Sequence, residues 1–249
     1  MAYVENDGVR IHYEVEGNGP PLLLHHGFTI SLEEWRQFGY VDALKAQYQV
    51  ILIDARGHGR SDKPHDPGAY GMALRASDVI AVLDDLNVDQ VNYLGYSMGG
   101  RIGFDTAKLA PARLRSLMIG GAHPYATTAH PERLAWATER MEPFLERQPL
   151  PEHVKTPAFR ARMLANDVEA LIAEGIARPN VEDVLPDLTM PCLIYVGDAD
   201  RNYAEVERCV SRIPHVTFVS LPGLDHWAGI YRSDMVLPHI RAFLERVTR

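Results

Sequence analysis

Gly95-Tyr96-Ser97-Met98-Gly99 sets a serine between two closely spaced glycines. A serine flanked in this way becomes chemically interesting when a strand precedes it and a helix follows, because the sharp turn lifts the hydroxyl clear of the sheet. The apolar run 91–94 reads as the strand, and 100–109 has helical character. Glycines at 95 and 99 let strand and helix approach closely. The helix N-terminus behind the serine favours developing negative charge.

A serine hydroxyl is a weak nucleophile near neutral pH and needs a base, which in turn needs an orienting acid. Of 11 histidines, His226 in Gly223-Leu224-Asp225-His226-Trp227 stands in the loop after the last expected strand. His12 falls within an edge strand, and His215 and His239 read as exposed residues. The acid is expected after the apolar run 191–196, where Gly197-Asp198-Ala199-Asp200 offers two carboxylates. Asp200 is the choice, since the turn needs a few residues before the chain reaches over the sheet edge. Asp198 is placed to bond local backbone amides. Asp225 is a poor orienter, because the side chains of adjacent residues diverge. Acyl transfer also requires an oxyanion hole. The backbone N–H groups of Met98 and of Phe28, in His25-His26-Gly27-Phe28 after the run 22–24, are the candidate donors.

The elements that must position these groups follow from periodicity. Residues 9–15 alternate as a half-exposed strand near a sheet edge, whereas 22–24, 50–53, 91–94, 114–119, 191–196 and 216–221 are short apolar runs of buried strands. Helical patterns fall at 31–48, with Ser31 as N-cap, and at 73–86, 100–109, 203–213 and 231–247. This alternation predicts an α/β fold, a mostly parallel sheet flanked by helices. Between 123 and 187 no convincing strand occurs, and helical character at 131–147 and 158–177 predicts a small helical cap over the sheet. The expected division is a core of 1–122 with 188–249 and a cap of 123–187.

The pattern as a whole resembles the α/β-hydrolase superfamily, in its branch of single-domain, capped serine hydrolases of carboxylesterase and lactonase type. His26-Gly27-Phe28 resembles the family's oxyanion loop, and Asp54-x-Arg56-Gly57-x-Gly59-x-Ser61 its D-x-R-G-x-G-x-S loop. Gly95 to Gly99 resembles the nucleophile elbow, Gly197-x-x-Asp200 the acid loop, and His226 the late histidine. The match runs over nearly the whole chain, in the family's order of Ser, Asp, His. The resemblance implies a mainly structural role for the Arg56 loop. Arg101, just past the elbow, reads as a solvated or packing residue. Relatives with an aspartate at the elbow, the haloalkane dehalogenases and epoxide hydrolases, are excluded by Ser97.

The expected reaction is hydrolysis of a small ester or lactone through an acyl-enzyme, with Phe28, Trp227, Tyr125 and Trp136 as apolar pocket walls. The same triad also serves C–C hydrolysis of a vinylogous diketone and perhydrolase-like chemistry, and some relatives act as ligand-binding receptors. No metal or organic cofactor is implied. A net charge of −8 without basic runs argues against nucleic acid and anionic membranes as partners. Residues 1–8 are polar and no long apolar stretch occurs, so a cytoplasmic setting is expected. Cys192 and Cys209 read as small buried thiols.

Overall fold

The computed structural model describes residues 2–127, 141–175 and 178–247. Strands β1 (Ala2–Asn6) and β2 (Val9–Glu16) form an antiparallel hairpin. Its two-residue turn, Asp7 and Gly8, takes positive φ at both positions (51° and 72°), the geometry that matches the twist of the flanking strands. Strands β3 (Pro21–His25), β4 (Gln49–Ile53), β5 (Val91–Tyr96), β6 (Leu114–Gly120), β7 (Cys192–Gly197) and β8 (Val216–Leu221) follow. Together they form an eight-stranded sheet among the described residues, in the order β1-β2-β4-β3-β5-β6-β7-β8. Strand β2 pairs antiparallel with β4, and every later pairing is parallel. The edge strand on the antiparallel side is therefore β1, which the alternation at 9–15 left unassigned.

Parallel strands are buried on both faces, and this sheet splits its apolar side chains between two layers. Leu23, Ile51, Ile53 and Tyr93 pack against α3 (Met72–Asp85), α4 (Met98–Leu109) and α8 (Tyr203–Val210) through Val79, Ile102 and Val206. On the other face Leu22, Leu24, Val50 and Leu94 meet Trp35 of α1 (Glu33–Gln37), Tyr40 and Leu44 of α2 (Tyr40–Leu44), and Ile240 and Leu244 of α10 (Ser233–Val247). The helical stretch expected over 31–48 is thus two helices. Gly39, at φ 81°, turns the chain between them. Ser31 stands one place before the N-cap position, Leu32, and its backbone N–H and hydroxyl both meet Glu34 (2.7 and 2.9 Å). The short helix α9 (Ala228–Tyr231) precedes α10.

Between β6 and β7 the chain forms α5 (Met141–Glu146), α6 (Pro157–Leu164), α7 (Val168–Glu174) and a 3₁₀ turn (Glu182–Asp187). The break between α6 and α7 lies at Asn166 and Asp167, where the Asp167 carboxylate accepts the Ala170 N–H (3.1 Å) and starts a new helix. The helical pattern at 131–147 falls largely outside the described residues.

The C-terminal ends of β3, β5, β7 and β8 share one edge because the strands are parallel. Residues 26–28, 97–98, 198–200 and 222–227 therefore emerge side by side, although they are remote in sequence. Behind that edge, Arg56 donates to both oxygens of Asp78 on α3 (2.7 and 2.6 Å), and each side chain is 3 % exposed or less. Arg101 is likewise buried rather than solvated, and its guanidinium donates to the carbonyl of Tyr125 (2.8 Å). Removing one partner of a buried pair strands the other charge out of water. Arg56→Met is expected to lower unfolding free energy by about 3–5 kcal/mol in urea titrations, with Arg56→Met/Asp78→Leu recovering much of the loss. A loss below about 1 kcal/mol for Arg56→Met contradicts this role, since that is the range of an exposed pair.

Candidate active site

Ser97 lies between the last residue of β5 and the first of α4 with φ 52° and ψ −106°, a conformation costly for a residue with a Cβ. Three backbone hydrogen bonds hold it there. Ser97 N–H donates to Gly120 (2.8 Å), Gly99 N–H to His26 (3.0 Å), and Arg101 N–H to the Ser97 carbonyl (2.9 Å). The glycines are sterically required. A Cβ at 95 would stand 2.3 Å from the Gly99 carbonyl oxygen, and one at 99 would stand 2.1 Å from that of His25.

Asp200 follows β7. Its Oδ1 accepts the Asn202 N–H (2.9 Å), and Asn202 Nδ2 donates to the Gly121 carbonyl (2.9 Å), so the carboxylate is tied to the loop after β6. Its Oδ2 meets His226 Nδ1 at 2.7 Å, and His226 Nε2 lies 2.9 Å from Ser97 Oγ. Ionised Asp200 is acceptor only, so Nδ1 carries the proton and Nε2 accepts from the serine hydroxyl. Asp198 instead accepts the Gly223 N–H (2.7 Å), and Asp225 accepts the Ala228 N–H (2.7 Å) at the start of α9. Tyr96, which the sequence pattern did not single out, donates from its hydroxyl to the His226 carbonyl (2.5 Å) and so fixes the loop that carries the imidazole. Its only sequence signal is its place inside the pentad.

Ser97 and His226 open into a cavity of about 370 Å³, which Phe28, Met98, Trp227 and Ile230 also line. The Trp227 indole donates to Gln148 Oε1 (2.8 Å) across the loop between α5 and α6. Tyr125 does not line the cavity. The Arg101 contact turns its backbone toward α4, and the ring packs in the core with the Arg208 guanidinium 4.2 Å from its centre. Trp136 lies outside the described residues. Among the described residues no group of three or more His, Cys, Asp or Glu could hold a metal ion, and no helix is long and apolar enough to cross a membrane.

A family model for the alpha/beta hydrolase fold matches residues 20–148. This chain belongs to the α/β-hydrolase family. Over 97 % of both chains it is 26 % identical to a putative 2-succinyl-6-hydroxy-2,4-cyclohexadiene-1-carboxylate synthase of Bacillus subtilis (strain 168). Its structure resembles that of the esterase RhEst1 from Rhodococcus sp. ECU1013, with a TM-score of 0.86 and 25 % identity over 98 % of each chain. It also shares its fold with the enol-lactonase from Burkholderia xenovorans LB400, with a TM-score of 0.85 and 23 % identity over 98 % of this chain and 100 % of the other.

Three further histidines lie close to the elbow of this α/β-hydrolase, and their bonding separates them from His226. His26 Nε2 accepts the Ala55 N–H (3.1 Å), which leaves Nδ1 to donate to Gly27 (2.7 Å). His25 Nδ1 meets the Tyr93 hydroxyl (2.8 Å), which itself donates to the Gly99 carbonyl (2.7 Å). His58 Nδ1 is 3.2 Å from the Arg56 carbonyl. All three are fully buried, and each is held neutral. Burial pushes His25 and His26 below their ordinary value and His58 down to about 3.

These shifts carry a stability consequence. In the unfolded chain all three histidines titrate near 6.5, so below that pH the unfolded state binds more protons than the folded one. Stability is then fully present above about pH 7 and falls as pH drops toward the folded pKa values. His58, with its folded value near 3, contributes a slope of about 1.4 kcal/mol per pH unit below pH 6, and His25 and His26 add to it in the same direction. Urea midpoints measured from pH 8 to 5 check this. A stability unchanged across that range contradicts the neutral, buried state of the three.

Proposed function

We propose that this α/β-hydrolase is a serine hydrolase that cleaves a small carboxylic ester or lactone through an acyl-enzyme intermediate. The observation that carries the reading is the position of His226, within hydrogen-bond distance of Ser97 Oγ on one side and Asp200 Oδ2 on the other. The esterase likeness at 25 % identity over nearly the whole chain supports the same reaction class.

In this reading His226 Nε2 takes the hydroxyl proton as Ser97 Oγ attacks the carbonyl carbon. Asp200 holds the reacting tautomer and stabilises the imidazolium. The tetrahedral oxyanion is met by the backbone N–H groups of Met98, at the start of a 12-residue helix, and of Phe28 on the facing loop. Collapse breaks the bond to the leaving oxygen, which takes the proton from Nε2. His226 then deprotonates a water that attacks the acyl carbon, and a second collapse returns the proton to Ser97 and releases the acid. Side chains, backbone N–H groups and water carry these steps. Phe28, Ile30, Trp227 and Ile230 supply an apolar wall for the acyl chain. We assign residues 123–187 as the cap, whose described residues Gln148, Pro149, Glu174 and Arg178 line the cavity.

A series of 4-nitrophenyl acyl esters tests the reading. The wild-type protein is expected to turn them over, and Ser97→Ala is expected to abolish turnover. Asp200→Asn should lower kcat by on the order of 10³–10⁴, the cost of a misoriented base, with Asp198→Asn far milder. Equal rates for wild type and Ser97→Ala overturn the assignment of the nucleophile, and a greater loss in Asp198→Asn overturns that of the acid.

A further inference from the structure

Beside the cavity, five charged side chains meet out of water. Arg75 of α3 donates to Glu174 Oε1 (2.9 Å) and approaches Asp105 Oδ2 (3.5 Å). Arg101 lies 3.5 Å from Asp105, one turn along α4. Arg178 donates to the same Glu174 Oε1 (2.6 Å). The side chains of Arg75, Arg101, Asp105 and Glu174 are 4 % exposed or less, and that of Arg178 is 14 % exposed.

Three guanidinium groups thus face two carboxylates, which leaves one positive charge in excess where water screens weakly. The crowding is visible in the groups themselves. Burial lowers Arg101 to about 10 even with Asp105 beside it, and the nearby Arg178 and Arg75 add to the shift. Glu174 meets both Arg75 and Arg178 through one oxygen.

Of the three arginines in this cluster, Arg178 is the one that lines the cavity of Ser97. Arg201, next to Asp200, lines the same cavity, is exposed, and has no ion pair among the described residues. Two carboxylates line the cavity: Glu174 is shared by two arginines through Oε1 while its buried Oε2 has no hydrogen-bond partner, and Asp225 caps α9. Planar forks of N–H donors match carboxylate geometry, and an anion in the cavity would balance the surplus charge.

We propose that the cavity takes an ester or lactone that carries a carboxylate on its acyl side, with Arg178 as the recognising group and Arg201 assisting from the rim. The proposal rests on the serine-hydrolase reading for its reaction and on the charge cluster for its substrate class.

The test compares mono-4-nitrophenyl glutarate with 4-nitrophenyl valerate, acyl chains of equal length that differ in a terminal carboxylate. Wild type should favour the glutarate ester in kcat/KM by about tenfold or more, and Arg178→Gln should erase about tenfold of that ratio, chiefly through KM. Arg178→Lys, which keeps a cation for Glu174, should retain part of the preference, and Arg201→Gln should lower it less. High salt should narrow the ratio in wild type. A wild-type preference for valerate, or a ratio that Arg178→Gln and Arg178→Lys leave unchanged, overturns the proposal. Calorimetry of glutarate and glutaramide binding to Ser97→Ala separates the two layers. If neither ester is turned over, the hydrolase reading fails. Tighter binding of glutarate than of glutaramide, weakened by Arg178→Gln, still upholds carboxylate recognition, and equal binding overturns it.

Discussion

The closeness of β5 and α4 at the elbow is the constraint on which the rest of the site depends. The chain turns from strand to helix through a single residue at φ 52°, and the carbonyls of Gly99 and His25 occupy the space where side chains at 95 and 99 would lie. Strain at Ser97 is held by backbone hydrogen bonds to β6 and to the loop after β3. The Tyr93 hydroxyl locks the same turn from below through the Gly99 carbonyl and the His25 ring. Loosening any one of these contacts would let the serine relax toward ordinary backbone geometry and away from His226.

Parallel pairing supplies the second requirement. Ser97 and His226 are separated by 129 positions, yet both follow strands that end on one edge of the sheet. The environment then sorts the histidines by role. His25, His26 and His58 are sealed in, neutral and engaged by backbone or tyrosine groups, which suits them to fix loops. His226 is 20 % exposed at its side chain, has a carboxylate on Nδ1, and faces the cavity with Nε2. A base must reach substrate and exchange protons, and only a partly open imidazole can do so.

The strands were legible because buried parallel strands are written as short, nearly continuous apolar runs, and β8 falls on the expected 216–221. The half-buried β1 was not. Its five residues carry no sustained alternation, although Asp7-Gly8 is a hairpin signal that, paired with 9–15, points back to it. Helix breaks at Gly39 and Asp167 were hidden inside continuous helical patterns, since one residue at left-handed φ or one capping carboxylate suffices. At the site, motif spacing singles out Ser97, Asp200 and His226, but which atoms meet depends on loop geometry that no periodicity records. Tyr125 illustrates this, because a lone aromatic carries no information about which side of the loop it faces. The arginine cluster was equally silent, as Arg75 and Glu174 are 99 positions apart and on separate helices.

The central claim is that Ser97 itself forms the covalent bond, and reaction with diethyl 4-nitrophenyl phosphate followed by peptide mass mapping tests it most directly. One equivalent of 4-nitrophenolate should be released per chain as the diethylphosphoryl group appears on the peptide bearing Ser97, and His226→Ala should slow both together. An adduct confined to another residue, or none in the folded wild-type protein, would contradict the account.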